Sequence, residues 1–219
     1  EETLNTFEGN PRVRSKFSIW DNDSILIDQK VYYENGLLQT HNIYYLNQEG
    51  RRCLQTVEYG LKGQKRFERS FAWIRYSELQ ESDKSGHPPH TLDEEGYTYL
   101  MVPFGAELTY YDGGELFERK QHQFIKDGHH EHRSLHGPVL TYYDNGKLKS
   151  KGKYKDGSLN GIFKSYFQDG KLETERYYEN DVPVGEWKGW HANGQQAYWY
   201  MYDLETAHPF ESNKKEWAE

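Results

Sequence analysis

Aromatic and aliphatic side chains fall in short runs along this chain, broken by pairs of turn-forming residues. No run carries the apolar stripe of an amphipathic helix. From Gly137 to His208 the pattern repeats every 24 residues. The three units are GPVLTYYDNGKLKSKGKYKDGSLN, GIFKSYFQDGKLETERYYENDVPV and GEWKGWHANGQQAYWYMYDLETAH, starting at Gly137, Gly161 and Gly185. Large side chains recur at 139/163/187 (Val, Phe, Trp), at 142/166/190 (Tyr, Tyr, Trp) and at 154/178/202 (Tyr each time). A fixed period of this size means that one supersecondary unit has been stacked several times.

The turn residues say what that unit is. Asn145-Gly146, Asp169-Gly170 and Asn193-Gly194 each separate two aromatic-rich runs of strand length. They predict β-hairpins with type I′ turns, which need positive φ at both central residues. A second turn closes each unit, at Lys155-Asp156-Gly157-Ser158 in the first and at Glu179-Asn180-Asp181 in the second. One repeat is then two antiparallel strands, and successive repeats form a meander. With strands ~4.8 Å apart, each repeat extends the sheet by roughly 10 Å. The expected fold is all-β and elongated: a single twisted antiparallel β-meander built from hairpin repeats.

Alternation assigns the faces. Residues 139, 141 and 143 point one way and 140 and 142 the other. The first face reads Val-Thr-Tyr, Phe-Ser-Phe and Trp-Gly-His, so a small middle residue leaves a shallow trough between bulky columns. Tyr142, Tyr166 and Trp190 form a second column, readable either as packing of a thin sheet or as an exposed binding row. Exposed Tyr and Trp are the residue types that anchor interfaces.

The remaining chain follows the same pattern less regularly. Residues 1–16 are an N-terminal segment. Residues 17–76 hold degenerate hairpin repeats, in which Tyr32-Tyr33 and Asn35-Gly36 match Tyr142-Tyr143 and Asn145-Gly146, so the sheet is expected to begin near Phe17. Residues 77–104 comprise a polar insertion containing Pro88-Pro89, then a return strand. Four repeats follow, at 105–136, 137–160, 161–184 and 185–208; GAELTYYDGGEL at Gly105 mirrors GPVLTYYDNGKL. Residues 209–219 are expected to form a short C-terminal cap, a helix with Ser212 as N-cap and Trp217 folding back over the edge. All of these are expected to make one domain.

Composition adds limits. An apolar content of 35% with 16% aromatic residues suits a thin sheet and is too aromatic for disorder. The net charge of −8 divides equally: residues 1–104 carry 16 acids against 12 bases, residues 105–219 carry 19 against 15. That balance argues against nucleic-acid binding and disfavours a polybasic membrane site. The lone Cys53 cannot form an internal disulfide. The chain opens with Glu1-Glu2, which fits either a trimmed start in the cytoplasm or removal of an export signal, with a periplasmic or exported protein as the result.

Candidate chemistry is sparse. His129, His130, His132 and His136 crowd an insertion at 126–136, but no Cys or carboxylate-histidine pattern accompanies them, so a partner-contacting or plain exposed loop is favoured over a metal site. No nucleophile elbow, phosphate loop or zincin motif occurs. The expectation is a non-enzyme without cofactor or metal.

The sequence "Gly, aromatic, two aromatics, Asn/Asp-Gly-Lys/Gln, Leu, Tyr, second turn" over Gly137–His208, with a looser copy from Gly105, resembles the MORN-variant repeat. The resemblance implies a curved single-sheet meander that binds another protein, as in bacterial antitoxin and immunity components. On that reading the chain occludes a cognate toxin or effector, as a monomer or in a 1:1 complex. Tyr142, Tyr166, Trp187, Trp190 and Trp199, helped by His129, His130 and His132, are the candidate contacts. The alternative is a non-enzymatic scaffold or a surface- or membrane-associated binding module.

Overall fold

The computed structural model describes residues 2–7, 10–20, 23–48, 50–75, 77, 91–92, 98–127, 130–202 and 215–218. Every regular element of length among them is a β-strand and every strand pairing is antiparallel, as the tyrosine-rich, stripe-free sequence requires. The chain forms two compact units, one of residues 1–114 and 123–133, the other of residues 115–122 and 134–219.

In the first unit the strands are β1 (Glu2–Phe7), β2 (Asn10–Trp20), β3 (Asp23–Tyr32), β4 (Leu38–Leu46), β5 (Arg52–Tyr59), β6 (Lys65–Arg75), β7 (Thr91–Leu92) and β8 (Thr98–Tyr110). Each of β1 to β5 pairs with its successor, β6 pairs with β8, and β7 lies along β8. The ladder therefore begins at Glu2, not near Phe17. Glu2–Phe7 pairs with Asn10–Lys16 through one register shift at Asn5/Thr6, an edge that the repeat pattern does not reveal. Most of the 77–96 insertion lies outside the described residues.

This unit has a true core. Cys53, Ala72 and Val102 sit opposite one another on β5, β6 and β8, with Ile74 opposite Leu100 in the next row, and all five are at most 5% exposed. Leu54 and Thr56 point to the other face of β5 and are also buried, so this strand is covered on both sides.

The second unit contains β11 (Gly137–Tyr142), β12 (Leu148–Lys155), β13 (Ser158–Leu159), β14 (Gly161–Tyr166), β15 (Leu172–Glu179), β16 (Val182–Trp190), β17 (Gln196–Tyr202) and β18 (Lys215–Glu216). β9 (Leu116–Asp127) and β10 (His130–Leu135) contribute residues to each unit. β11 pairs with β9 and β12, β12 with β14, and β14 to β18 each with the next. The predicted C-terminal helix is not what the described residues form: Lys215–Glu216 pair as a strand with Trp199 and Tyr198. The exposed backbone edge of β17 offers hydrogen bonds that a helix would leave unmade. Ser212 lies outside the described residues.

The type I′ geometry predicted for the Asn-Gly turns occurs instead in the second turn of the repeat. In the Asn-Gly turns only the glycine has positive φ, +78° at Gly146, +94° at Gly170 and +90° at Gly194. Gly146 N–H bonds Tyr143 C=O at 2.9 Å, Tyr143 N–H bonds Lys147 C=O at 2.8 Å, and Asn145 Oδ1 accepts the Lys147 N–H at 3.0 Å. This is a type I turn closed by a left-handed glycine, and it recurs at Phe167 and His191 and, in the first unit, at Tyr33. The type I′ turns are the other ones. Asp156 and Gly157 have φ of +52° and +90°, and Asn180 and Asp181 have +50° and +68°.

Candidate functional site

The second unit presents two unlike faces. Cross-strand pairing puts Val139 with Gly152, Thr141 with Ser150, Phe163 with Arg176 and Trp187 with Tyr200. On this face the aromatic columns stack into a ladder: Phe163 to Tyr178 at 6.5 Å, Tyr178 to Trp187 at 5.2 Å and Trp187 to Tyr202 at 4.6 Å between ring centroids. The Trp187 indole N–H donates to the Tyr177 carbonyl at 3.0 Å. Trp187 is thus held by rings on both sides, as a packing member of the sheet.

The small middle column predicted at 141/165/189 is present. Thr141 and Ser150 hydroxyls lie 2.6 Å apart, and Ser165 and Thr174 hydroxyls 2.7 Å apart. The trough is not empty, however. Tyr198 covers Gly189 and Phe163 covers Gly152 so closely that a Cβ on either glycine would meet a ring carbon at 2.1 Å or 2.6 Å. Arg176 stands in the same face, its guanidinium 5.1 Å from the Trp187 ring and 3.3 Å from the Tyr198 hydroxyl oxygen, to which Nη2 donates. Burial alone would lower its pKa, but hydrogen bonds to Tyr198 and Tyr178 leave it above the ordinary value.

The opposite face carries charge and open aromatics. A straight cross-strand row runs Leu140, Lys151, Lys164, Glu175, Lys188, Trp199, Lys215. Lys164 bonds Glu175 at 2.5 Å, which raises the lysine's pKa chiefly through that hydrogen bond. Lys188 pairs with Glu186, holding the Glu186 carboxyl below its usual range, and the Trp199 side chain adds a smaller hydrogen bond. The Lys215 ammonium lies 6.0 Å from the Trp199 ring centre and that of Lys151 5.8 Å from the Tyr166 ring centre. Both are cation–π contacts at the outer limit of range.

The sequence candidates are therefore divided. Tyr166 and Trp199 lie on the charged face, and alternation from Trp187 places Trp190 there too, as it does Tyr142 from Val139. A register shift beside Tyr142, Tyr166 and Trp190 sets each next to a bulge, which bends the strand locally. Trp187 belongs to the ladder face. His129 lies outside the described residues, and His130 and His132 are placed only as backbone of β10. His136 Nδ1 sits 3.2 Å from the Asp156 carboxylate. One stride later Asn160 donates to Asn180 at 3.4 Å, so this position ties a strand start to the next type I′ turn.

What sequence reasoning missed is the line of lysines on the strand Leu148–Lys155. Lys149, Lys151, Lys153 and Lys155 are all exposed on one face while the intervening residues are half-buried. The strict Lys-x-Lys-x-Lys-x-Lys alternation was the available signal, and averaging charge over half-chains erased it.

No set of three or more His, Cys, Asp or Glu side chains among the described residues is arranged to hold a metal ion. A shallow, open hollow in the first unit is lined by Tyr32, Tyr33, Glu34, Asn35, Gln39 and Leu61, with Glu34 the one carboxylate in that lining.

No curated protein matches the chain. Among solved structures it is similar to part of one described as "Crystal Structure of TcdB2-TccC3-TEV", at 12% identity and a TM-score of 0.19, over 91% of this chain and 13% of that one. Two tandem stretches of the second unit, residues 135–156 and 159–180, match the family described as MORN repeat variant, whose repeats suggest a scaffold for binding proteins or membranes.

Proposed function

We propose that this chain is a non-catalytic repeat scaffold that binds another protein, and that it acts as an immunity protein or antitoxin, covering a toxic bacterial effector. The observation that carries the binding reading is the charged face of the second unit. Tyr166, Trp190 and Trp199 are partly exposed there, Tyr166 beside Lys151 and Trp199 beside Lys215 and Glu186. Aromatic anchors within a polar surround are the arrangement from which interfaces draw most of their affinity. The mechanism is steric occlusion over a patch of ~1,600 Å², the size of an ordinary stable interface.

The test is co-purification with the product of the adjacent gene, using a Trp190→Ala/Trp199→Ala variant. Loss of capture with an unchanged unfolding midpoint supports the reading. Full capture by the variant refutes it, and binding to lipid vesicles in place of the gene product favours a membrane-associated module instead.

A further inference from the structure

β12 reads Leu148-Lys149-Ser150-Lys151-Gly152-Lys153-Tyr154-Lys155, and exposure alternates along its whole length. Its four lysines form one line of ~20 Å, since same-face residues on a strand are ~6.7 Å apart. None of the four makes an ion pair with a described residue, whereas their neighbours do: Lys164 holds Glu175 and Lys188 holds Glu186. Lys149 and Lys151 lean instead toward the Tyr143 and Tyr166 rings, at 5.6 Å and 5.8 Å. Apolar side chains flank the line, with Leu140 opposite Lys151, Pro138 opposite Lys153, and Ile162 on β14 42% exposed. Four uncompensated ammonium groups thus stand together in a chain of net charge −8.

We propose that the lysine line of β12 docks an acidic, extended segment of a partner protein. The spacing fits, because an extended segment with acids at alternate positions repeats its carboxylates at the same interval. The flanking Pro138, Leu140 and Ile162 offer contact to the apolar parts of such a segment. Single-stranded nucleic acid fits less well: its phosphate backbone would also run past Glu175 and Glu179, in a chain of net charge −8. A broad anionic membrane fits less well too. The lysine line is bounded two strands away by Glu175 and Glu179 on β15, and a flat sheet of headgroups would meet those acids as well. The proposal rests on the protein-binding reading above and adds the chemistry of the partner.

The probe is a short fluorescein-labelled peptide of alternating Glu and Thr, titrated into the full chain by anisotropy at low and physiological salt. A peptide with Gln for Glu, an oligothymidylate of equal length and phosphatidylserine vesicles serve as comparisons. Saturable binding of the glutamate peptide is expected. It should weaken with salt and drop about tenfold or more in a variant with Lys149, Lys151, Lys153 and Lys155 all changed to Gln. Equal binding by that variant, or binding of the oligothymidylate or vesicles but not the peptide, overturns the proposal. Solvent-exposed Lys→Gln changes leave the sheet folded, which a thermal melt checks. The variant also leaves Trp190 and Trp199 in place, so failure here is distinguishable from failure of the aromatic reading.

Discussion

The Tyr143 hydroxyl donates a 2.7 Å hydrogen bond to the Tyr166 carbonyl, reaching from the turn of one repeat to the strand of the next. Tyr33 makes the same bond to the Tyr59 carbonyl at 2.8 Å in the first unit. The stride of the repeat is therefore fixed by side chains as well as by the strand ladder. At the third copy of this position His191 takes over, its Nε2 lying 2.9 Å from the Trp217 carbonyl. Phe167, in between, keeps the ring and lacks the hydroxyl.

Tyr143→Phe should accordingly destabilise the chain by about 1 kcal/mol, the net worth of one such bond. Phe167→Tyr should stabilise it by a similar or smaller amount, by supplying a hydroxyl to the Trp190 carbonyl one stride on. Urea unfolding of the two variants reads both signs. An unchanged midpoint in Tyr143→Phe would remove the hydroxyl from the account of the repeat stride.

The glycines under the ring ladder should be intolerant of a methyl group. Gly189→Ala brings a Cβ to 2.1 Å from Tyr198 and Gly152→Ala one to 2.6 Å from Phe163, both against rings held by their neighbours. Each should cost about 1–3 kcal/mol in a thermal melt. Adding Tyr198→Ala to Gly189→Ala should bring no further loss of the size seen when Tyr198→Ala is made alone.

The type I′ turn at Asn180-Asp181 makes a prediction of opposite sense for two substitutions. Asn180→Gly should cost little, only the long 3.4 Å exposed bond accepted from Asn160, since glycine suits the φ of +50° there. Asn180→Val should cost about 1–2 kcal/mol, because a β-branched side chain is strained in the left-handed region. The Asp181 carboxylate also accepts the Leu159 N–H at 2.7 Å, so Asp181→Gly should lose stability even though glycine suits the backbone.

Tyr200 provides a pH readout of the C-terminal strand. Its hydroxyl bonds the Glu216 carboxylate, which pushes its pKa from 10.0 up to about 12. The folded value is raised, so the stability from this contact is whole below pH 10 and is lost as pH climbs from 10 toward 12. Burial also raises Tyr44, Tyr45, Tyr110 and Tyr202, so the readout is a difference in tyrosinate absorbance: Glu216→Gln should move one tyrosine from about 12 back toward 10.0. An unchanged titration in that variant would mean that β18 does not dock on β17 in solution.

The sequence by itself determined the strands, the antiparallel meander and the stride, because period, strand-length aromatic runs and turn residues are local properties. It also determined the small middle column, since alternation along a strand is rigid. It could not say which turn of the repeat takes which geometry: Asn-Gly satisfies both a type I′ turn and a type I turn closed by glycine. Only the tertiary structure separated Trp187, locked between Tyr178 and Tyr202, from Trp199 on the opposite face, because that depends on register across strands distant in sequence. The same holds for β18, which replaces the expected helix because the open backbone of β17 accepts it. It holds equally for the lysine line, whose meaning lies in the lack of an ion pair from it to any described residue.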